Sequence, residues 1–291
     1  MIKSFEYVAP KTVEEALSLL SQYKEEAKII AGGQSLLVVM KQGLLATEYL
    51  IDVKGLSTLD YINYDEGKGL RIGALTTHRA IEKSEVIQKH FGVLSEMERN
   101  LATIQTRNWG TIGGNLCHGD PAGDPAPVFI ALKAKLKLAS LGGERIVDVE
   151  EFSRDYLEVA LEPGEMLVEI QVPTPPPHTG TAYEKLMVMK GDMGIVGAVV
   201  SITLSPGDSV CQNARIALSN VSSVPLRARE AEKRLIGKAL NDGLLTEAGE
   251  VAAEEAEPPE DVHGSAKYRR EMVKVFVKRA ATKALERAKA A

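Results

Sequence analysis

Between Asn108 and Pro127 the chain reads NWGTIGGNLCHGDPAGDPAP, which sets a Cys, a His and two Asp among glycines and prolines. Such residues could ligate a metal, cradle a phosphate, or simply form a tight loop. Metal chemistry fits worst. Cys117 and His118 are adjacent, and the stretch contains no C-x-x-C, no H-E-x-x-H and no His pair at helical spacing. The histidines at 78, 90, 118, 178 and 263 are scattered and read as surface or satisfied loop residues. Cys117 and Cys211 are too few for a Cys-based zinc site or an iron–sulfur cluster. No Ser-His-Asp or Cys-His arrangement is visible, so no metal ligand and no catalytic side chain is assigned.

Phosphate binding fits better. In GTIGGN the glycines remove side chains and permit positive φ, so consecutive backbone N–H groups can converge on an anion, with Thr111 and Asn115 adding side-chain donors. AGGQS, residues 31–35, offers the same chemistry at the start of a helix, where free N–H groups favour negative charge. Two such loops about 80 residues apart suit a pyrophosphate gripped from two sides, as in FAD.

The elements that must position these loops are legible in part. Thr12 and Glu15 form a capping box ahead of a helix over about 13–23, KIIAGG is a short buried strand, Ser35 starts a second helix, and EYLIDV is another strand. This is a βαβ order without the G-x-G-x-x-G fingerprint. Hairpins are expected over 59–76 and around Leu141-Gly142-Gly143, a helical stretch from Thr77 to about Met97, and a strand at EMLVEIQVP, so that strands with few helices fill 59–173. PTPPPHTG, 173–180, breaks regular structure. Beyond it come strands at IVGAVVSITL and ARIALSNV and helices at about 226–237, 244–256 and 265–288. The expected units are residues 1–56 (α/β), 57–175 (mostly β) and 176–291 (α+β).

With 291 residues, 44% hydrophobic and 26% charged, the composition is that of a soluble globular chain, with no segment able to span a bilayer and no signal-peptide pattern at its start; a cytoplasmic location is expected. A net charge of −5 argues against general nucleic-acid binding. Seven acidic residues lie between Glu247 and Asp261, and nine Lys/Arg against two Glu follow from Ser265 onward. That basic tail is either a docking surface for an acidic partner or a solvated helical face.

Three stretches, AGGQSLLVVMKQGLLATEYLIDV, IQTRNWGTIGGNLCHGDPAGDPAPVFIAL and YEKLMVMKGDMGIVGAVV, resemble the FAD-binding medium subunit of the molybdenum hydroxylases, the family of aerobic carbon monoxide dehydrogenase and xanthine dehydrogenase. The resemblance runs in order over nearly the whole chain. It implies an α+β protein with the FAD-binding fold of the vanillyl alcohol oxidase type and a C-terminal three-stranded sheet with helices. It further implies that Ala31, Gly32, Gly33, Gln34, Ser35 and Leu36 wrap the pyrophosphate from one side, and Thr111, Gly113, Gly114 and Asn115 from the other. By the same resemblance, Asp124 reaches the ribityl or adenosine side, Lys185 sits near the isoalloxazine, and Leu101, Ile104 and Leu167 or Val168 pack on the flavin. Gln34 stands where many members have His, and Met193 where an aromatic is common. The implied partners are a small subunit with two [2Fe–2S] clusters and a large molybdopterin subunit, in a dimer of heterotrimers (a heterohexamer) with at most peripheral membrane association. This chain's FAD would relay electrons from the iron–sulfur subunit to a quinone or NAD. A stand-alone FAD-dependent oxidase and a flavin-storing scaffold are the competing readings.

Overall fold

The computed structural model describes residues 2–207 and 210–291. Its first layer is a three-stranded parallel sheet in the order β1 (Glu6–Val8), β3 (Tyr49–Asp52), β2 (Ala27–Ile30). Helix α1 (Val13–Tyr23) lays Ala16, Leu17 and Leu20 on a core shared with Ile51 and Val53. Its cap differs from a standard capping box in one bond. Thr12 accepts from Glu15 N at 3.1 Å, but the Glu15 carboxylate takes the N–H of Lys11, one residue before the cap. Helix α2 (Leu36–Lys41) begins after Ser35, yet Ser35 is itself helical in backbone and its hydroxyl caps nothing.

A five-stranded antiparallel sheet follows, in the order β4 (Ile62–Asp65), β5 (Gly69–Gly73), β10 (Met166–Val172), β6 (Lys135–Ser140), β7 (Gly143–Asp148), with a small ribbon of β8 (Ser153–Asp155) and β9 (Glu158–Val159) beside it. The expectation of few helices here is corrected. Between β5 and β6 run six short ones: α3 (His78–Lys83), α4 (Glu85–His90), α5 (Gly92–Asn100), α6 (Ile104–Trp109), α7 (Ile112–His118) and α8 (Pro125–Ala131). Each has only six to nine residues, too few for a 3.6-residue period to stand out. The local signal is in the caps: Thr77, Ser84, Thr103 and Thr111 each accept an N–H three residues on. Leu94, Met97, Ile112, Phe129 and the inner face of the sheet form one continuous core.

The last part is a meander of three long strands, β11 (Thr179–Leu186), β12 (Val196–Leu204) and β13 (Cys211–Ser219), to which a two-residue edge strand, β14 (Leu226–Arg227), adds a fourth. Helices α9 (Arg229–Leu235), α10 (Asp242–Glu255) and α11 (Ala266–Ala290) cover it with a core of their own. α11 lies backbone-close on β11. A Cβ on Gly180 would stand 2.1 Å from the carbonyl oxygen of Ala284, and the buried face includes four small residues, Ala280, Ala281, Ala284 and Ala288. Its basic charges are largely used within the chain. Lys274 pairs with Glu271, Lys278 with Asp242, Lys283 with Glu184, and Arg287 forks onto Glu96 of α5. Arg269 is fully buried and donates to the carbonyls of Ile195 and Asn220. This bonding favours the solvated-face reading of the tail over a preformed docking surface.

Candidate functional site

The two glycine loops meet. β2 ends at Ile30, and the chain turns through Gly32 and Gly33 into α2, with Gly33 at φ +68°, the left-handed region glycine favours. Gly32 lies against the α6–α7 junction so closely that a Cβ there would be 2.2 Å from the Trp109 carbonyl oxygen and 2.7 Å from the Gly110 Cα. Around that contact, the backbone N–H groups of Gly32, Gly33, Gln34, Ser35 and Leu36 donate to no other group of the described chain. Gln34 donates its amide to the Gly32 carbonyl, while the Ser35 hydroxyl has no partner. A left-handed glycine followed by free N–H groups at a helix entrance is an anion-binding concavity.

The second loop is built differently from the expected nest. Gly113 and Gly114 lie inside α7 with ordinary helical backbone rather than at positive φ. Their N–H groups are spent: Ile112 donates to Thr76, Gly113 to Ala74, Gly114 to the Thr111 hydroxyl at 3.2 Å, and Asn115 to the Thr111 carbonyl. Gly113 is glycine because α7 is bonded to the end of β5, where a Cβ would fall 2.6 Å from the Ala74 carbonyl oxygen. What this loop leaves free is the backbone N–H of Thr111, the Asn115 amide and the proton of the Thr111 hydroxyl. Gly114, by contrast, is exposed.

Behind the junction runs a buried row of ionisable groups. His78 touches it from below, its Cδ2 being 3.1 Å from a Cβ built on Gly110, whose next neighbour is Gln34. Nδ1 of His78 is 3.0 Å from both oxygens of Glu98, with hydrogen-bond geometry to Oε1 alone; Oε2 is buried without a partner. Burial pushes the Glu98 carboxyl up, against the pull of His78. Next to it Asp124 and Lys185 form an ion pair at 2.7 Å with both side chains enclosed. Tyr183 donates to the second Asp124 oxygen at 2.6 Å, and Lys185 also donates to the Asn100 carbonyl. Burial raises the Asp124 carboxyl, opposed by Lys185 and Tyr183, and holds the Tyr183 phenol well above its usual range.

Asp124 and Lys185, far apart in sequence, are thus each other's partners. The Asp124-Pro125 step starts α8 and aims the carboxylate at β11, and both Lys185 and Tyr183 come from that strand. Leu101 and Ile104 flank a turn held by Arg107, which donates to the carbonyls of Leu101 and Ala102. Ile104 is 45% exposed and Leu101 only 6%. Leu167 and Val168 are both buried, in two different cores, and so present no open surface; the Val168 carbonyl accepts the Ala74 N–H and supports the loop from beneath. His78, Glu98, Arg107 and Tyr183 were missed by sequence reasoning. Only His78 carried a local signal, following the cap residue Thr77. It is neither at the surface nor in a loop.

Among the described residues no group of three or more His, Cys, Asp or Glu could hold an ion. Enclosure of its sulfur pushes the Cys117 thiol up to about 12. Asp120 is used locally, accepting from Ala122 N.

Residues 3–175 match the FAD binding domain in molybdopterin dehydrogenase, and residues 181–284 match the CO dehydrogenase flavoprotein C-terminal domain. The carbon monoxide dehydrogenase medium chain of Afipia carboxidovorans is 38% identical over 98% of both chains. The 6-hydroxypseudooxynicotine dehydrogenase complex subunit alpha of Paenarthrobacter nicotinovorans is 36% identical, over 98% of this chain and 96% of that one. Among solved structures, the carbon monoxide dehydrogenase from Hydrogenophaga pseudoflava superposes with a TM-score of 0.95 at 38% identity over 99% of both chains. Quinoline 2-oxidoreductase from Pseudomonas putida 86 gives 0.92 at 31%, again over 99% of both.

Proposed function

Because the chain belongs to the FAD-binding family of the molybdopterin dehydrogenases, we propose that it is the flavoprotein relay of a molybdenum hydroxylase, passing electrons from an iron–sulfur subunit to an external acceptor such as a quinone or NAD. The chain is a medium FAD-binding subunit of that class, an oxidoreductase component. The flavin site on which this reading depends is supported most by one observation: the five free N–H groups of residues 32–36, set around left-handed Gly33 and facing a loop that offers the Thr111 N–H and side-chain donors.

The residues fit a pyrophosphate. Gly32 to Leu36 would supply backbone donors and Ser35 a hydroxyl, with Ala31 closing the end of β2; Asn115 and Thr111 would donate from the other loop, while Gly113 and Gly114 let α7 approach. The pair Asp124–Lys185 would keep a fixed charge arrangement next to the ring system, with Leu101 and Ile104 as its apolar flank. FAD, when bound, supplies two-electron chemistry that one-electron donors can feed. The protein's part is to bind it, orient it and exclude water.

Relatives of nearly equal length serve enzymes for carbon monoxide, 6-hydroxypseudooxynicotine and glyceraldehyde, which supports substrate chemistry residing outside this chain. The partners would be the small iron–sulfur and large molybdopterin subunits, in a dimer of heterotrimers in the cytoplasm. No helix of the described residues is long and apolar enough to cross a membrane. Purified alone, the chain should hold FAD that a chemical reductant bleaches and should not turn over carbon monoxide, aldehydes or purines. Adding the reduced iron–sulfur subunit should bleach the same flavin. Turnover by the isolated chain, or a flavin the reduced partner leaves oxidised, would refute the relay.

A further inference from the structure

At the far end of α8 from Asp124 lies a cleft of about 460 Å³ between the five-stranded sheet and the C-terminal part. Lys133, Lys135, Arg215, Arg227 and Arg229 line it, with three carboxylates, Asp148, Glu150 and Glu151; Ile130 and Ala134 supply the apolar lining. No aromatic side chain is present for a base or ring to stack on.

The charges do not cancel locally. Glu150 is shared between Arg227 and Arg229, and Glu232, behind the wall, takes a two-pronged bond from Arg227 at 2.8 Å. Lys135 only approaches Asp148, at 4.0 Å. Arg215 and Lys133 have no carboxylate partner among the described residues. Arg215 spends one N–H on the Ile130 carbonyl at 2.7 Å and keeps the rest of its guanidinium for the cleft. Burial, and after it the repulsion of Arg227, holds the Arg215 guanidinium below its usual range; burial, then Arg215 and Arg227, lowers the Lys133 ammonium. Lys133 also sits at φ +57°, where a side chain costs stability that glycine would not. The fold therefore holds two unpaired cations together, one of them on strained backbone, at the mouth of a cavity.

We infer that this cleft is a binding site for a phosphate group, free or carried by a small organic molecule, held by Lys133 and Arg215 with Arg227 and Lys135 in support. Two forked or point cations around one oxyanion give short charge-assisted bonds. Occupancy would relieve the mutual repulsion and tie α8 and β6 to β13 and β14 across the seam. The site is separate from the glycine loops, and the inference does not rest on the relay reading.

The test uses the full chain loaded with FAD, titrated with inorganic phosphate or glycerol phosphate against chloride at constant ionic strength, by calorimetry and by melting temperature. Phosphate is expected to bind saturably and raise the melting temperature where chloride does not. Lys133→Gly should leave the melting temperature in phosphate-free buffer unchanged or higher, because it relieves the backbone, yet weaken phosphate binding by roughly tenfold or more. Arg215→Gln, which keeps a donor for Ile130, should do the same to binding. Equal affinity for the two probes would assign the free ion, and tighter glycerol phosphate an organic phosphate. Absence of saturable binding, or binding indifferent to both substitutions, would overturn the site. The readout is independent of flavin reduction, so its failure and that of the relay are told apart.

Discussion

Gly32→Ala is the smallest change that separates the two loops. The added methyl carbon would lie 2.2 Å from the Trp109 carbonyl oxygen and 2.7 Å from the Gly110 Cα, both backbone atoms that cannot rotate away. Restoring an ordinary contact requires about 1 Å of movement, and overpacking of this kind costs about 1–3 kcal/mol. The unliganded protein can escape part of that strain by letting 31–35 drift from 109–111. FAD binding needs both sides of the pyrophosphate at their present spacing, so the escaped strain returns as lost affinity, about 5- to 150-fold. The assay is FAD affinity by flavin fluorescence on the apoprotein, alongside thermal melting. Gly92→Ala, where a Cβ meets nothing within 4 Å, serves as the neutral control. If Gly32→Ala bound FAD with unchanged affinity and melted with the control, the contact between the loops would not matter and the two-sided cradle would be refuted.

Three further outcomes follow from the same geometry. Lys185→Met should cost about 3–5 kcal/mol in urea unfolding, because it leaves Asp124 buried beside a missing cation, and adding Asp124→Asn should recover much of the loss; a single variant within 1 kcal/mol of wild type would contradict the buried pair. His118→Ala should leave FAD content unchanged, whereas loss of the yellow colour on purification would reopen the Cys117–Asp124 stretch as a ligand site. Arg145 forks onto Glu165 with two bonds of 2.6 Å and holds its carboxyl below the usual glutamate range. A depressed carboxylate stabilises above its unfolded pKa and loses that contribution as pH falls. The melting-temperature advantage over Glu165→Gln should accordingly be full above about pH 5 and shrink below about pH 4; an advantage that persisted in acid would rule the pair out as its source.

The sequence by itself determined most of the strands and the long helices, but not β1 or β11, which carries Tyr183 and Lys185. Their alternation, the Thr12 cap and the proline-rich break, which ends where β11 begins at Thr179, are local signals that need no partner to be read. It also pointed to 31–36 and 111–115 as a pair, through glycine pairs next to amide and hydroxyl residues, and Gly32 does lie against Trp109 and Gly110, just before the second loop. Tertiary structure decided what those glycines are for. Gly113 is small because α7 is bonded to Ala74, and Gly32 because it lies on Trp109, so among the described residues the second loop keeps only the Thr111 N–H as a backbone donor while the first keeps its own free. Nothing in GTIGGN distinguishes a glycine that faces a ligand from one that faces a neighbouring strand, since both follow from the absence of a Cβ. The charge row was equally out of reach. Asp124 and Lys185 are 61 positions apart, and His78 and Glu98 are neighbours only because α3 and α5 are folded against each other. Such pairings are set by which surfaces the chain buries together, and only the packed structure records them.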